Sequence, residues 1–157
     1  MNTIRRATEK DIEGLKSLLL QVDMVHHNGR PDVFKGPAMK YSDEELKSLL
    51  IDDSRPVFVC VDSDDNVLGH AFVVFKQENS HNILTDIKTL YIDDICVDEN
   101  ARRQNVGKKL YEHVIAFARA NDCYNVTLNV WKCNEGAIKF YEKMGMDIQR
   151  IFMETII

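Results

Sequence analysis

Three β-rich runs follow one another in the middle of this chain: Val57 to Val61, Val67 to Phe75 and Thr89 to Val97. Their β-branched and aromatic content suits a pleated, half-buried surface. The polar spacer Asp62-Ser63-Asp64-Asp65-Asn66 between the first two reads as a hairpin. On either side of this block the apolar spacing turns helical, with Ile12, Leu15, Leu19 and Val22 before it and Val106, Leu110, Val114 and Phe117 after it. Ile4 to Ala7 adds a short first strand, Val126 to Val130 returns to strand, and Ile138, Tyr141 and Met144 mark a last helix terminated at Gly145. Asp147 to Ile156 reads as a closing strand. The order βααβββαβαβ has no repeat and no interdomain linker, which predicts one mixed α/β domain over 1–157.

Capping signals place the helix starts. Thr8 with Asp11, and Ser42 with Glu45, have the spacing of capping boxes. Between those two helices, His26 to Tyr41 loses periodicity and carries Gly29, Pro31, Gly36 and Pro37, so it reads as a long loop. Long ordered loops are often functional.

A length of 157 residues suits one core and one site. The formal net charge of -5 argues against a nucleic-acid partner, which would need a basic stripe. No stretch approaches the ~20 apolar residues of a membrane span, and the N-terminus reaches charge without the apolar segment of a signal peptide. Cys60, Cys96, Cys123 and Cys133 contain no CxxC pair and fit reduced thiols in a cytoplasmic protein.

Within the run from Thr89, Leu90 and Ile92 set one inward phase, and Ile95 and Val97 continue one residue out of step, with Asp93-Asp94 between them. A one-residue slip is what a β-bulge produces, and a bulge frees backbone groups from the ladder. The alternative is an ordinary strand with two acidic residues at its solvent end. Just beyond, Arg102-Arg103-Gln104-Asn105-Val106-Gly107-Lys108 leads into the next helix. A loop entering a helix N-terminus presents unpaired N–H groups and the positive end of the dipole to an anion. Alone, such a segment is equally a solvated basic surface.

Together, strand, loop and helix resemble the central motif of the GNAT superfamily, Arg/Gln-x-x-Gly-x-Gly/Ala. Arg102 and Gly107 match its first and last positions, and Asn105 replaces the first glycine. Asn is the best non-glycine residue at positive φ and keeps its backbone N–H. The stretch from Asn134 to Gly145 is similar to the family's second motif, Asn-x-x-Ala-x-x-Phe-Tyr-x-Lys-x-Gly, through Asn134, Ala137, Phe140, Tyr141, Lys143 and Gly145. The resemblance covers about Leu90 to Met146. It implies an α/β (α+β) fold with a strongly twisted mixed β-sheet flanked by helices, its bulged central strand splayed to hold CoA.

That resemblance implies acetyl-CoA as co-substrate, without a metal. It assigns the backbone of Ile95, Cys96 and Val97 to the pantetheine arm, the loop of Arg102, Arg103, Gln104, Asn105, Val106, Gly107 and Lys108 to the pyrophosphate, and Asn134 and Lys143 to further CoA contacts. Tyr141 takes the family's role of proton donor to the leaving thiolate; its alternative is a packed aromatic. Asp93 and Asp94 stand where spermidine acetyltransferases carry an acidic pair, and either can act as base, with Asp93 slightly ahead. His26, His27 and Asp32 lie where the family builds its acceptor pocket; two adjacent histidines without further ligands do not make a zinc site. His70 and His113 read as strand and helix-surface residues, and Cys96 lends its backbone rather than its thiol.

The expected reaction is direct acetyl transfer to a primary amine of a small cationic molecule, with a protein amine as the alternative acceptor. A CoA-binding sensor without turnover and a nucleotide-binding regulator are the competing readings. The apolar segment Ile151 to Ile157 fits a possible homodimer through strand pairing or exchange.

Overall fold

A computed structural model describes all 157 residues. Strand β1 (Thr3–Arg6) passes through a single 3₁₀ turn into helix α1 (Ile12–Gly29), followed by α2 (Asp43–Leu50). Strands β2 (Val57–Val61), β3 (Val67–Gln77) and β4 (Lys88–Val97) come next, then α3 (Val106–Ala120), β5 (Asn125–Leu128) and α4 (Glu135–Lys143). The five strands form one sheet in the order β1-β2-β3-β4-β5, antiparallel except for the β4–β5 pair. The change of direction follows from the connection, because α3 carries the chain back over the sheet before β5 begins.

Strand β2 is buried along its whole length, and its alternation divides the core between the two faces of the sheet. Val57, Val59 and Val61 point to α1 and α2, where they meet Leu15, Leu19, Leu46 and Leu49. Phe58 and Cys60 point the other way, into a cluster with Leu90, Ile92, Val106, Leu110 and Val114 under α3. Each such buried aliphatic side chain contributes roughly 1.5–3 kcal/mol of transfer free energy. Gly69 is what lets α3 come so close: a Cβ there would lie 2.8 Å from Val106 Cγ1 and 2.9 Å from the Cys96 carbonyl oxygen.

The expected order holds through α4. Ser42 accepts from the Glu45 amide at 3.2 Å while Glu45 Oε2 accepts from the Ser42 amide at 2.7 Å, completing the cap of α2. Gly145 adopts φ +91, as a terminator past α4 should. Strand β5 stops at Leu128, two residues short of the expected Val130.

Two expectations are corrected. The loop predicted from His26 begins only after Gly29, so His26 and His27 occupy the last turn of α1. The helix continues because His27 has a seat there: its Nδ1 lies 2.7 Å from the Phe34 carbonyl oxygen, and its ring packs against Gly36. Gly29 ends the helix where a Cβ would meet Cys133 Sγ at 2.6 Å. The second correction concerns the closing strand, which does not form: residues 147–157 join no strand of the sheet. A strand requires a neighbour for its N–H and C=O groups, and no strand of the sheet pairs with the tail.

At the other end of the sheet, Arg5 on β1 binds the buried Asp11 in a fork, Nη1 to Oδ2 at 2.8 Å and Nη2 to Oδ1 at 2.9 Å. Asp11 Oδ2 also accepts from the Thr8 amide at 2.8 Å, so one carboxylate joins strand, turn and helix. Burial alone would raise the Asp11 pKa, but the guanidinium and the Thr8 amide outweigh it and hold the carboxyl below its ordinary 3.8. Its contribution to stability is therefore complete above about pH 4 and is lost as the pH falls through the lowered value. Arg5→Ala, which leaves that carboxylate buried without its cation, is expected to cost about 3 kcal/mol in urea denaturation at pH 7. The difference between Arg5→Ala and the native chain should shrink as the pH is lowered towards 3, and a constant difference would contradict the assignment.

Candidate functional site

The slip in the β4 pattern is a bulge. Ala71 pairs with Ile95 and Phe72 with Asp94, but the next residue of β3, Val73, pairs with Ile92, leaving Asp93 without a register partner. On its other side β4 is paired even less. Strand β5 accompanies it only from Thr89 to Ile92, so Asp93 to Val97 continue with β3 alone. The backbone of Ile95, Cys96 and Val97 therefore borders a gap between diverging strands. Main-chain groups there are free to bind an extended amide-bearing chain as a further strand would.

The next segment is pinned at both ends and open between them. Ala101 and Val106 are buried, whereas Arg102, Arg103, Gln104 and Asn105 are exposed. From α1, Gln21 steadies the approach: its Oε1 accepts from the Glu99 amide at 3.2 Å and its Nε2 donates to Asp98 at 3.3 Å. Arg103 at φ 70 and Asn105 at φ 59 both take the left-handed conformation. Successive amides around such residues converge on one side and form an anion-binding concavity. No side chain caps the α3 N-terminus, so its first N–H groups and its dipole face the same way. Gly107 keeps that first turn against Val97 and Phe140, where a Cβ would sit at 3.4 Å from each. Lys108 lies 3.8 Å from Glu112 on the next turn and supplies positive charge at the helix start. A polyanion continuous with an amide-bearing arm, the form of CoA, fits this sequence of gap and loop.

Tyr141 belongs to α4 yet is packed against the cluster under α3. Burial, with smaller contributions from Asp94, Cys96 and Tyr111, pushes its phenol well above the ordinary value, so the hydroxyl stays protonated at neutral pH. Asp94 and Cys96, which contribute to that shift, both lie on the stretch of β4 that β5 leaves unpaired. Cys96 donates its thiol to the Leu18 carbonyl oxygen at 3.5 Å, and burial pushes its pKa up to about 12. A thiol held neutral in this way is no nucleophile.

The two carboxylates of the bulge have different partners. Asp93 accepts from Lys40 Nζ and from the Tyr41 hydroxyl, both at 2.9 Å. Burial would raise its pKa, but Lys40 and Tyr41 bring it below the usual value. Asp94 is instead 2.8 Å from Nε2 of His70, a residue with no exposed surface whose Nδ1 is buried without a partner. Asp93 is thus paired with a lysine and a tyrosine, and Asp94 with a histidine read earlier as an ordinary strand residue. His113 is half-buried on α3, its ring edge-on to Phe58 at 4.6 Å.

The acceptor-side residues are only partly brought together. His26 stacks on Phe34 with ring centroids 4.9 Å apart, and Phe34 meets Trp131 edge-on at 5.0 Å. Burial lowers the His26 pKa against the opposing pull of Asp94 and Asp23, so the imidazole near Asp94 is neutral at pH 7. His27 instead supports the loop through Phe34, and Asp32 is taken up by Arg30 at 2.9 and 2.8 Å. Trp131 had no place in the sequence reading; its contact runs across residues about a hundred apart, which no local pattern reveals. Asn134 accepts from the Ala137 amide at 3.3 Å and caps α4, and Lys143 is exposed in that helix's last turn.

Comparison with known proteins agrees with this arrangement. Residues 23–146 match the model of the acetyltransferase (GNAT) family. A peptidyl-lysine N-acetyltransferase of Salmonella typhimurium is 28% identical over 149 residues, 94% of this chain and 85% of that one. A solved mutant protein of Bacillus halodurans superposes with a TM-score of 0.94 over 99% of both chains at 28% identity. The glucosamine-6-phosphate N-acetyltransferase of Arabidopsis thaliana shares the fold, with a TM-score of 0.71 over 99% of this chain and 98% of that one at 23% identity. The chain belongs to the GNAT family and is an acetyl-CoA-dependent N-acetyltransferase.

Proposed function

We propose that this enzyme moves the acetyl group directly to the primary amine of a small cationic molecule, with Tyr141 as general acid and Asp94 as the group that receives the acceptor's proton. The carrying observation is a phenol packed against the cluster under α3 and kept neutral by burial, with Asp94 and Cys96 of the unpaired stretch of β4 within electrostatic reach. The Ile95, Cys96 and Val97 backbone would hold the pantetheine arm, the Arg102 to Lys108 loop the pyrophosphate, and Asn134 and Lys143 the margins of the cofactor. An ammonium entering beside His26 and Asp94 loses its proton through water to the Asp94 carboxylate. The free amine then attacks the thioester carbonyl, the C–N bond forms as the C–S bond breaks, the nitrogen gives up its second proton to water, and Tyr141 protonates the departing thiolate. Of the two protons lost by the nitrogen, one restores the tyrosinate and the other goes to solvent, which closes the balance.

Lys40 sets the charge of the acceptor mouth. With Asp93 paired to Lys40 and Asp94 to the imidazole of His70, only Asp94 lacks a cationic lysine or arginine beside it, which suits one alkylammonium better than a pair of them. A peptidyl lysine is the second reading, favoured by the Salmonella relative and by the aromatic rim of His26, Phe34 and Trp131. The four free cysteines, with Cys133 exposed, support a reducing, cytoplasmic location, and no helix is long and apolar enough to cross a membrane. Thiol release from acetyl-CoA against small alkylamines, aminoglycosides, glucosamine 6-phosphate and lysine peptides tests the assignment. Fastest turnover is expected with an uncomplicated alkylammonium, and CoA binding without turnover on any amine would refute it.

Tyr141→Phe is expected to lower kcat by ~10²–10⁴-fold with little change in acetyl-CoA affinity. Because the phenol lies above its ordinary value, kcat should show no alkaline decline below about pH 10. Asp94→Asn should lower kcat far more than Asp93→Asn; the reverse ranking would restore Asp93 as base. At the loop, Asn105→Val places a β-branched residue at φ 59 and is expected to weaken CoA binding about 10-fold by calorimetry, whereas Asn105→Gly should preserve it.

A further inference from the structure

The place beside Asp93 has the composition of an alkylammonium receptor. Asp93 Oδ2 accepts from the Tyr41 hydroxyl at 2.9 Å, and the Tyr41 ring lies with its centroid 5.5 Å from the cation that occupies the place. A carboxylate with an aromatic face beside it is a combination that holds an ammonium. The ring is itself fixed, stacked on Phe72 at 5.7 Å, and Phe72 is the register partner of Asp94. The receptor is therefore built onto the same two strands as the carboxylate proposed to take the acceptor's proton.

Its occupant belongs to the chain. Lys40 Nζ donates to Asp93 Oδ2 at 2.9 Å. Lys40 arrives on the loop between α1 and α2, which is tied down on both sides of it: the Ala38 amide donates to Asp23 of α1 at 3.0 Å, and Tyr41 packs against the core under α1 and α2. Burial would lower the Lys40 pKa, but Asp93 outweighs it and raises it, so the ammonium is charged at neutral pH. With 43% of the Lys40 side chain and 24% of Asp93 exposed, the pair adds little to stability, and its effect falls on a cation entering from solvent. His26 and Asp94 both lie within electrostatic reach of Lys40.

We propose that Lys40 is the specificity-determining residue of the acceptor mouth: its ammonium stands where the second ammonium of a terminal diamine would bind, so the native enzyme selects acceptors with one cationic amine. The inference rests on the acceptor being received at Asp94. A diamine with one end there brings its other charge towards Asp93, where it meets Lys40 instead of a free carboxylate, and like charges repel. An acceptor whose far end is neutral or anionic meets no such opposition. Because the discrimination is a repulsion, removing one cation reverses it without any new contact being built.

Calorimetric titration of the CoA-loaded protein with putrescine, a terminal diamine, and with butylamine tests this independently of turnover. The native protein is expected to bind butylamine at least as tightly as putrescine. Lys40→Met, which keeps an unbranched side chain without its charge, should shift the affinity ratio towards putrescine by about 5-fold or more, whereas Lys40→Arg should keep the native preference. In Lys40→Met/Asp93→Asn the shift should vanish, an outcome that mere loosening of the loop does not produce. If Lys40→Met does not fold, Lys40→Gln carries the same comparison. The same binding order without acetyl transfer to either amine would refute the proposed reaction while upholding the role of Lys40. A native preference for putrescine overturns the proposal, as does a ratio unchanged, or putrescine binding undetectable, in the folded Lys40 variant. A shift that survives Asp93→Asn also overturns it.

Discussion

Every functional element of this protein hangs on the way β4 is paired. Backbone N–H and C=O groups in a sheet are satisfied by neighbours, and a central strand ordinarily has one on each side. Strand β4 has both only from Thr89 to Ile92; beyond that it keeps β3 and loses β5. The bulge at Asp93 aggravates the change by switching the faces to which the following residues point. From that one departure come the gap lined by Ile95 to Val97, the aim of Asp94 towards His70, and the position at which the chain turns into the anion-binding loop.

The site combines a rigid donor side with a more adaptable acceptor side. The groups proposed to meet the cofactor are backbone groups of a strand and a helix N-terminus, fixed by the packing of α3 on the sheet. Those proposed to meet the acceptor are side chains of the last turn of α1 and its following loop, tied through His27 to Phe34, Lys40 to Asp93 and Arg30 to Asp32. Chemistry common to a family and specificity peculiar to a member are thus carried by different kinds of structure.

Much of the donor side was legible in the sequence because it is written locally. The phase change around Asp93-Asp94 marks the bulge, and Asn105 in place of glycine marks a left-handed residue. The Ser42, Asn134 and Gly145 signals mark helix ends through hydrogen bonds that reach only a few residues. The acceptor side was poorly legible because its contacts are long-range. Nothing near His70 announces Asp94, nothing near Lys40 announces Asp93, and Phe34 meets Trp131 only after the fold is complete. His26 and His27 were assigned to a loop because Gly29 and Pro31 break the pattern, although the helix runs to the glycine itself. The closing strand illustrates the opposite error: its apolar pattern is genuine, but pattern does not provide a neighbour within the chain.

Gly69 and His70 are consecutive in β3, and they stand behind the two sides of the proposed site. The first admits α3, and with it the loop proposed for the phosphates; the second holds Asp94. A register change in β3 would displace both together. On the proposed reading, acceptor preference is open to change from the periphery, through residues 30–41 and Trp131. The reactive geometry can be inherited intact while the choice of amine drifts.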